Sequence, residues 1–440
     1  MKKVCLLGAG LVAGPLIEYL LQFDEVELRV ADIDLERARS LVKDHPRARV
    51  YQLDLQNRPE LVKLVSEAEV VVSMVPYTFH PYVAEICLEL GKHLVTASYV
   101  SPAMKALDGR AREKGLIFLN ELGLDPGIDH MEAMRLIEAA HQAGGRVLSF
   151  VSYCGGLPAP EASDNPFGYK FSWSPRGVLL AGRNEARYLL DGREVVVTAE
   201  ELFSHYQMID IPGLGVFEGY PNRNSVSYLE TYGIREARTM LRGTLRYPGW
   251  CQKLKKIGEL GLLDINEREW QSSTYAGFLR EYLGIEEAVE LKTAVAERLR
   301  LSPKSDVIQS LDWLGLFSEQ PLPSRKISPL DLLVALMVEK LKYREGERDM
   351  TVLQHQITVE YPGKGRELVT STLIDFGQPH GHSSMSRTVG LPVALGVKLI
   401  LERRIGLSGI LTPTVREIYQ PILAELETLG LAFKEERKFI

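Results

Sequence analysis

The segment KKVCLLGAGLVAGPLIEYLLQF constrains the fold of this chain more than any other. It is typical of a buried strand, a glycine turn and a helix, and Gly8, Gly10 and Ala13 form a G-x-G-x-x-A pattern directly after the strand. The first glycine permits the tight turn, the second lets a pyrophosphate approach the backbone, and the small third residue lets helix pack on strand. A plain tight turn can carry the same pattern, so the residues beyond the helix must decide between the two interpretations.

The next segments of the chain favour a dinucleotide site. VELRVADID is typical of a second strand, and Asp32 at its end is where a carboxylate accepts the ribose hydroxyls of NAD. Apolar strand-like segments and helix-like segments then alternate as far as LIFLNELGL. This alternation predicts an α/β fold with a Rossmann-type, doubly wound parallel sheet.

Ligands of such sheets bind at the carboxyl ends of the strands. The predicted ends are residues 8–12, Asp32, Asp54, 74–76, 97–99 and 121–125. In the segment ELGLDPGIDH, Asp125 either faces a ligand at this edge or shapes the turn before Pro126. Asp129 is predicted to cap or open the next helix, because a negative charge is favourable at a helix N-terminus.

The middle of the chain predicts a mixed sheet. GRVLSFVSYCGG is typical of a strand that runs into CGGLPAPEASDNP, a 13-residue loop of a length that usually binds something. YLLDGREVVV predicts a hairpin with a type I′ turn at Asp191 and Gly192. Arg223, Arg242 and Arg246 are predicted to lie in Gly/Asn/Pro turns, where they either bind carboxylates in a planar, two-pronged way or are simply solvated.

Apolar residues three and four apart between Pro248 and Leu341 predict a helical insert. We therefore predict three domains. They are a dinucleotide-binding Rossmann domain at 1–124, completed by about 388–440; a mixed α/β domain at 125–247 and 346–387; and a helical subdomain at 248–345.

Composition excludes several classes of protein. With 52 basic and 58 acidic residues the net charge is −6, which does not favour nucleic acid. No apolar run reaches the roughly 20 residues of a membrane span. The four cysteines are scattered, as in a reduced, cytoplasmic protein.

Two motifs invite other chemistry. His380 and His382 in QPHGHSS are spaced poorly for metal ligands, so we predict no metal and a loop near the cofactor or a dimer contact. Cys154 is either a nucleophile or a small side chain that lines a pocket, and the second interpretation is favoured because no Cys–His arrangement is visible.

Taken together, the motifs resemble one family. VPYTFHP, ASYVSPAM, NELGLDPGIDH, SYCGGLPAPEASDNPFGYKFSWSPRGVLL, EGYPNRNS, LRGTLRYPGW and TVGLPVA occur in the order found in glutamate-forming saccharopine dehydrogenases, also called saccharopine reductases. The chain is likewise similar to the carboxyl-terminal half of bifunctional aminoadipate semialdehyde synthases. The likeness spans nearly the whole chain, although residues 250–345 match by pattern more than by letters.

The resemblance implies a reaction in lysine metabolism. Saccharopine is oxidised by NAD or NADP at the carbon attached to its secondary amine, and water then releases L-glutamate and L-2-aminoadipate 6-semialdehyde; the reverse reaction is a reductive condensation. The resemblance also implies that the mixed domain binds substrate and forms a homodimer. Three substrate carboxylates would require arginines.

The family's site residues carry over onto matching positions. Those implied to contact substrate are Ser98, Tyr99, Asp125, Cys154, Arg223, Thr244, Leu245 and Arg246. Those implied to contact cofactor are Gly8, Gly10, Leu11, Val12, Ala13, Asp32, Asp54, Val75, Ala97, Ser98, Leu122, Gly123, Leu124 and Ser174. Asp125 would pair with a substrate ammonium group.

Two questions stay open at this point. Asp32 would repel the 2′-phosphate of NADP and favours NAD, although Arg37 could still meet a phosphate. No general base is evident: Asp125, Tyr99, Lys170 and His130 all qualify by position, with Asp125 and Tyr99 preferred, while orientation beside the nicotinamide supplies most of the acceleration.

Two alternatives compete with this interpretation. A carboxynorspermidine synthase type of amine-forming dehydrogenase would act on a polycation, for which arginine-bearing segments such as PNRNS and GTLRY are unsuited. A non-catalytic nucleotide-sensing protein would need only the cofactor motifs, whereas this chain carries both the cofactor motifs and the substrate motifs.

Overall fold

The computed structural model describes residues 1–440 and contains eighteen strands. The first nine are β1 (Lys2–Leu7), β2 (Val26–Asp32), β3 (Ala48–Gln52), β4 (Val70–Ser73), β5 (His93–Val95), β6 (Ile117–Leu119), β7 (Arg146–Pro158), β8 (Ala186–Leu190) and β9 (Arg193–Val197). The others are β10 (Gln207–Ile211), β11 (Gly215–Pro221), β12 (Thr239–Arg246), β13 (Arg268–Glu269), β14 (Lys326–Ile327), β15 (Asp349–Tyr361), β16 (Gly365–Phe376), β17 (Gly409–Leu411) and β18 (Lys434–Phe439).

Sixteen α-helices connect these strands. The first eight are α1 (Gly14–Leu20), α2 (Leu35–Val42), α3 (Arg58–Ser66), α4 (His80–Leu90), α5 (Pro102–Lys105), α6 (Asp108–Glu113), α7 (Ile128–Gln142) and α8 (Pro175–Ala181). The others are α9 (Tyr228–Thr231), α10 (Trp250–Glu259), α11 (Tyr275–Leu283), α12 (Leu291–Arg298), α13 (Asp306–Leu314), α14 (Pro329–Lys340), α15 (Ser384–Leu401) and α16 (Arg416–Thr428).

The chain divides into two compact units. The first comprises residues 1–147, 230–234 and 357–440, and the second comprises 148–229 and 235–356. The stretch predicted as a helical insert holds α10 to α14 within the second unit. The three predicted domain boundaries stay predictions.

The first unit contains a seven-stranded sheet in the order β17-β6-β5-β4-β1-β2-β3. Every pair in it is parallel. Strand β4 is buried throughout and β1 is buried over its last four residues, as expected where helices cover both faces of a sheet. The predicted Rossmann-type fold is confirmed, and β17 adds a strand from the C-terminal region.

The second sheet is mixed, in the order β10-β11-β12-β7-β15-β16-β18, with β8 and β9 joined beside β12. Strand β12 pairs in parallel with β7 and antiparallel with β11. The predicted hairpin is present between β8 and β9, and its turn residues Asp191 and Gly192 have φ angles of 49° and 81°. Both residues are therefore left-handed, as a type I′ turn requires.

The local predictions for one loop and for two arginines were wrong. Strand β7 continues to Pro158, so the first five residues of the predicted 13-residue loop are strand. Arg242 and Arg246 lie within β12 rather than in turns, and both are buried. Strands β7 and β12 approach closely at Gly155, where a side chain has no room because a Cβ would lie 2.8 Å from the Leu245 carbonyl oxygen.

Helix α15 is long and apolar enough to cross a membrane by length and composition alone, and 78% of its apolar window is buried inside the protein. It packs closely on the segment before α1, since a Cβ at Gly390 would lie 2.6 Å from the Val12 carbonyl oxygen. Its apolar character is thus accounted for by packing in the first unit.

The segment between β6 and α7 is a tight turn that only glycine can close. Gly127 has a φ of 148°, and a Cβ there would lie 2.0 Å from the Gly123 carbonyl oxygen. Asp129 opens α7, as predicted: it lies in the first turn, and its Oδ1 accepts the Gly127 N–H at 2.6 Å.

We expect Gly127→Ala to lower the free energy of unfolding by about 3 kcal/mol or more, because the left-handed φ and the backbone overlap must both be relieved. Gly109→Ala is the matched control, since no atom lies within 4 Å of its Cβ position and it lies in α6. Urea unfolding followed by circular dichroism measures both. Equal stability of the two variants would contradict this account of the turn.

Candidate active site

The glycine turn after β1 has the geometry of a phosphate cradle. Gly8 has a φ of 99°, and a Cβ there would lie 2.8 Å from the Met74 carbonyl oxygen. No atom lies within 4 Å of a Cβ at Gly10, which leaves room for a ligand to approach the backbone. Ala13, fully buried, precedes α1 without a side-chain cap, so the Gly14 N–H at the start of that helix suits an anion, whereas Pro15, the next residue, has no N–H.

Asp32 ties the end of β2 to this turn. One carboxylate oxygen accepts the Ala9 N–H at 2.6 Å and the other accepts the Asp34 N–H at 2.8 Å. A carboxylate has about four acceptor positions, so both oxygens can still accept ribose hydroxyls. Together with the cradle, this carboxylate fits a nicotinamide dinucleotide.

Other predicted cofactor residues lie at the same edge of the sheet. The segments after β5 and β6 are joined by bonds from the Glu121 N–H to the Ser98 carbonyl at 3.0 Å and from the Leu122 N–H to the Thr96 carbonyl at 3.2 Å. A Cβ at Gly123 would lie 3.3 Å from the Ala97 Cβ. Five predicted positions are therefore brought together here: Ala97, Ser98, Leu122, Gly123 and Leu124.

The remaining cofactor candidates in the first unit lie at neighbouring strand ends. Val75 follows β4, where the Met74 N–H donates to the Leu7 carbonyl at 2.8 Å. Asp54 follows β3, is exposed, and accepts the Gln56 N–H at 2.9 Å. Leu11 is 68% exposed and Val12 is half-buried.

Tyr99 and Asp125 form a hydrogen-bonded pair at this edge. The Tyr99 hydroxyl donates to Asp125 Oδ1 at 2.9 Å, and both side chains are half-buried. The partial exposure lets a ligand reach the pair, and the phenol holds the carboxylate in place. The two residues preferred as catalytic from sequence are thus in contact.

In the second unit, Arg246 at the end of β12 is buried without a carboxylate partner. Its side chain lies over the rings of Tyr169 and Trp250, with Cζ 4.8 Å and 5.5 Å from the ring centres. Its Nη1 donates to the Leu245 carbonyl at 2.8 Å, and its buried Nε has no hydrogen-bond partner. Only 6% of the residue is exposed.

A carboxylate is near in register but occupied elsewhere. Glu218 of β11 lies opposite Arg246 in the antiparallel ladder. Its two oxygens accept the N–H groups of Gly249 and Cys251, at 2.7 and 2.8 Å, at the start of α10. The N-terminus of α10 therefore holds the carboxylate, and the guanidinium keeps its donors for another group.

The register of the second sheet decides which other substrate candidates join Arg246. Cys154 of β7 lies opposite Thr244 of β12, and Thr244 and Arg246, two residues apart, share one face. Leu245 points to the opposite face and is fully buried.

Two further candidates in the second unit lie in exposed positions. Arg223 is exposed in the turn after β11, with a φ of 54°. Ser174 is exposed and caps α8 by accepting the Gly177 N–H at 3.2 Å. Their predicted contacts with substrate and cofactor stay predictions, as do the other site assignments.

Family comparisons agree with this geometry. The family described as "Saccharopine dehydrogenase C-terminal domain" matches residues 123–431, and "Saccharopine dehydrogenase NADP binding domain" matches residues 4–119. The chain belongs to the saccharopine dehydrogenase family.

Individual relatives extend the match to the full length. The chain is 41% identical over 444 residues to saccharopine dehydrogenase [NADP(+), L-glutamate-forming] of Saccharomyces cerevisiae, covering 99% of both chains. It is 39% identical over 445 residues to the mitochondrial alpha-aminoadipic semialdehyde synthase of Mus musculus, covering 99% of this chain and 48% of that protein.

A solved structure confirms the fold. The apo saccharopine dehydrogenase (L-Glu forming) of Saccharomyces cerevisiae superposes with a TM-score of 0.89 at 40% identity, covering 100% of both chains. The predicted saccharopine dehydrogenase resemblance and the predicted oxidoreductase class, acting on CH–NH donors, are thereby confirmed. The binding domain is that of a nicotinamide dinucleotide.

Within this saccharopine dehydrogenase fold, two of the candidate bases are held in internal pairs. Lys170 is 2% exposed and forms ion pairs with Asp164 at 2.9 Å and Glu347 at 2.7 Å. His130 is fully buried, with Nε2 2.9 Å from Glu121 Oε2. Both positions favour a structural role over direct proton transfer with substrate.

The loop that carries His380 and His382 lies beside α1. His382 Nε2 is 2.6 Å from Glu18 Oε2, and a Cβ at Gly14 would lie 2.9 Å from the His382 ring. His380 is exposed with a φ of 58°. The loop is thus near the N-terminus of the helix that comes after the glycine turn, while a dimer contact stays a prediction.

Sequence reasoning missed two residues that contact or flank the candidate site residues. His80 bonds Ser98, one of the predicted contacts, and Glu218 keeps its carboxylate away from Arg246. His80 is visible in the motif VPYTFHP, but no spacing rule connects it to a residue 18 positions away. Glu218 could be found only through the register of β11 and β12.

Proposed function

We propose that this chain is a glutamate-forming saccharopine dehydrogenase. It oxidises saccharopine with a nicotinamide dinucleotide and water to L-glutamate and L-2-aminoadipate 6-semialdehyde, and it also runs in reverse. The relatives that cover its full length carry the name of this activity. Saccharopine, glutamate and the semialdehyde are its proposed small-molecule ligands.

The buried guanidinium of Arg246 is the observation that carries this proposal. Burying a charge without a partner opposes folding, and a guanidinium hydrogen-bonds a carboxylate in a planar, two-pronged way. The cost is offset when a ligand carboxylate completes the site. A substrate with three carboxylates fits, whereas the polycationic substrate of a carboxynorspermidine synthase type of enzyme would be repelled.

Each group at the two sites has a role. When bound, the nicotinamide dinucleotide supplies the hydride acceptor. The turn at Gly8 and Gly10 holds its phosphates through backbone N–H groups. Asp125, oriented by Tyr99, pairs with the substrate ammonium and holds the reacting carbon in one orientation, which lowers the entropic part of the barrier.

We also propose that NAD is preferred over NADP. Asp32 places a carboxylate at the end of β2, where it would accept the ribose hydroxyls and repel a 2′-phosphate. The nearby cation is Arg37, whose Nε lies 3.8 Å from Asp34 Oδ2, so the Asp34 carboxylate offsets part of its positive charge. The full-length relatives have NADP(+) in their names, so this preference would set the chain apart from them.

A cytoplasmic homodimer completes the proposal. None of the four cysteines forms a disulfide and all are buried, which suits a reducing compartment. Homodimerisation is proposed from the family resemblance.

The first test measures the absorbance of reduced nicotinamide at 340 nm with purified protein, saccharopine and either dinucleotide. We expect Arg246→Met to raise the KM for saccharopine roughly 10- to 150-fold, since charged hydrogen bonds are lost. We expect its melting temperature to be unchanged or higher, because a buried unpaired charge is removed. The KM for the dinucleotide should stay the same.

Arg246→Lys is the matched control, since it keeps the charge and loses the two-pronged geometry. It should fall between the wild type and Arg246→Met in KM. No turnover of saccharopine by the wild type would refute the proposed function. A large loss of stability in Arg246→Met, with unchanged KM, would assign Arg246 to the fold instead.

Asp125→Ala is expected to raise the KM for saccharopine strongly, about 10-fold or more, because a charged partner of the ammonium is lost. Tyr99→Phe should have a smaller effect, since the carboxylate remains and only its orienting hydrogen bond is removed. Initial rates over a range of saccharopine concentrations measure both. Unchanged kinetics in Asp125→Ala would remove Asp125 from substrate binding.

Asp32→Ser should raise kcat/KM for NADP relative to NAD by about 10-fold or more, since like-charge repulsion of the 2′-phosphate is relieved. The serine can still accept the Ala9 N–H, which keeps the turn intact. Asp24→Ser, which removes an exposed carboxylate at the opposite end of β2, is the control and should leave the ratio unchanged. A wild-type enzyme that already prefers NADP would overturn the assignment of Asp32.

A further inference from the structure

His80 links a buried serine to the predicted site. Its Nδ1 is 2.8 Å from the Ser73 hydroxyl oxygen, and its Nε2 is 2.8 Å from the Ser98 hydroxyl oxygen. Ser73 ends β4, His80 begins α4, and Ser98 follows β5. The chain of three side chains therefore crosses from inside the first unit to the ligand edge of its sheet.

The surroundings of His80 favour its neutral form. Ser73 is fully buried, and His80 is 5% exposed. Burial lowers the pKa of His80 to about 4, so the ring is neutral throughout the physiological range. A neutral ring has one N–H donor and one acceptor nitrogen, and the neighbours decide which is which.

Ser73 decides the tautomer. Its hydroxyl bonds only His80 Nδ1, so its proton has this nitrogen as its one acceptor. If Nδ1 carried the proton instead, the buried Ser73 hydroxyl would be left without an acceptor, which is unfavourable. The ring proton is therefore on Nε2, and His80 donates to the Ser98 hydroxyl oxygen.

This direction fixes what Ser98 can offer. Its oxygen accepts from His80, and the hydroxyl has no protein acceptor for its own proton. The Ser98 side chain is half-buried at the edge where ligands bind. Its O–H is thus oriented as a hydrogen-bond donor toward a ligand oxygen.

We propose that His80 is a positioning residue, which with Ser73 holds the Ser98 hydroxyl as a donor to a carboxylate oxygen of the amino-acid substrate. The inference rests on the proposed function for the identity of that ligand. Thr96 is also close: its hydroxyl oxygen accepts the Ser98 N–H at 3.3 Å and lies 3.4 Å from His80 Nε2. A Thr96 hydroxyl that donated to Nε2 would favour the other tautomer, but this contact is longer than the 2.8 Å contact between Ser73 and Nδ1, which therefore decides the tautomer. His80 itself exchanges no proton with substrate.

A double-mutant cycle tests whether His80 acts through Ser98. We expect Ser98→Ala to raise the KM for saccharopine about 10-fold or more, the value of one hydrogen bond to a charged group. His80→Asn should raise this KM by a smaller factor, because the Ser98 hydroxyl remains but is no longer held in place. The KM for dinucleotide should be unchanged in both. The double variant should be no worse than Ser98→Ala alone. Additive effects, or a change confined to the KM for dinucleotide, would overturn the proposal.

Two further variants separate positioning from packing. His80→Gln places an amide N–H near the Nε2 position and should recover most of the lost affinity. His80→Leu, of similar volume but without a donor, should not recover it, whereas a packing role would make the two variants alike. His80→Asn should also leave the shape of the pH profile of kcat/KM unchanged between pH 6 and 9. The loss of a titrating group from that profile would make His80 an acid–base catalyst instead.

The tautomer can be tested without turnover. In protein labelled with ¹⁵N-histidine, the resonance absent from His80→Asn should show a protonated Nε2 and an unprotonated Nδ1. Ser73→Ala is the second variant, in case His80→Asn does not fold, and should remove this tautomer preference. A protonated Nδ1 in the wild type would refute the inference even if saccharopine is turned over, and inactivity toward saccharopine with the expected tautomer would refute only the substrate.

Discussion

The parallel hydrogen-bond ladder of the first sheet is the constraint on which its ligand edge depends. Because β1, β2, β4, β5 and β6 run in one direction, the loops after them all lie at one edge. Close approach of neighbouring backbone then requires glycine at two positions. A Cβ at Gly8 would lie 2.8 Å from the Met74 carbonyl oxygen, and a Cβ at Gly127 would lie 2.0 Å from the Gly123 carbonyl oxygen. The same ladder brings Ser98 beside the segment that carries Asp125. The site of the first unit is therefore a consequence of strand direction and glycine placement.

In the second unit, the feature that matters most for binding is the buried guanidinium of Arg246, which has no carboxylate partner in the protein. The Arg246 guanidinium lies over two aromatic rings, and the residue is opposite Glu218, yet the glutamate binds the start of α10. A chain selected for stability alone would pair the two or replace the arginine by an apolar residue. The arrangement keeps a desolvated cation with unused donors, and such a cation interacts more strongly with an incoming carboxylate than an exposed arginine would.

Sequence patterns predicted the first unit well because its signals are local. The glycine turn, the alternation of strands and helices, and the opening of α7 by Asp129 each depend on residues within one or two elements. Arg246 was placed in a turn because its glycine and proline neighbours dominate the local pattern, whereas the register with β7 and β11 puts it in a buried strand. Strand β18 was missed because KEERKF is charged, as edge strands often are. His80 and Glu218 act through partners that only the fold brings near.

The neutrality of His80 has a consequence for binding as well as for geometry. Oxidised nicotinamide carries a positive charge, and a cation buried at the same strand ends would oppose its binding in a medium of low dielectric constant. Lysine or arginine could donate to Ser98 as well as a histidine does, but only with such a charge. A histidine whose pKa is lowered to about 4 by burial gives a fixed N–H donor without one. At the same edge, the carboxylate of Asp125 has the sign that matches the ammonium group of the proposed substrate.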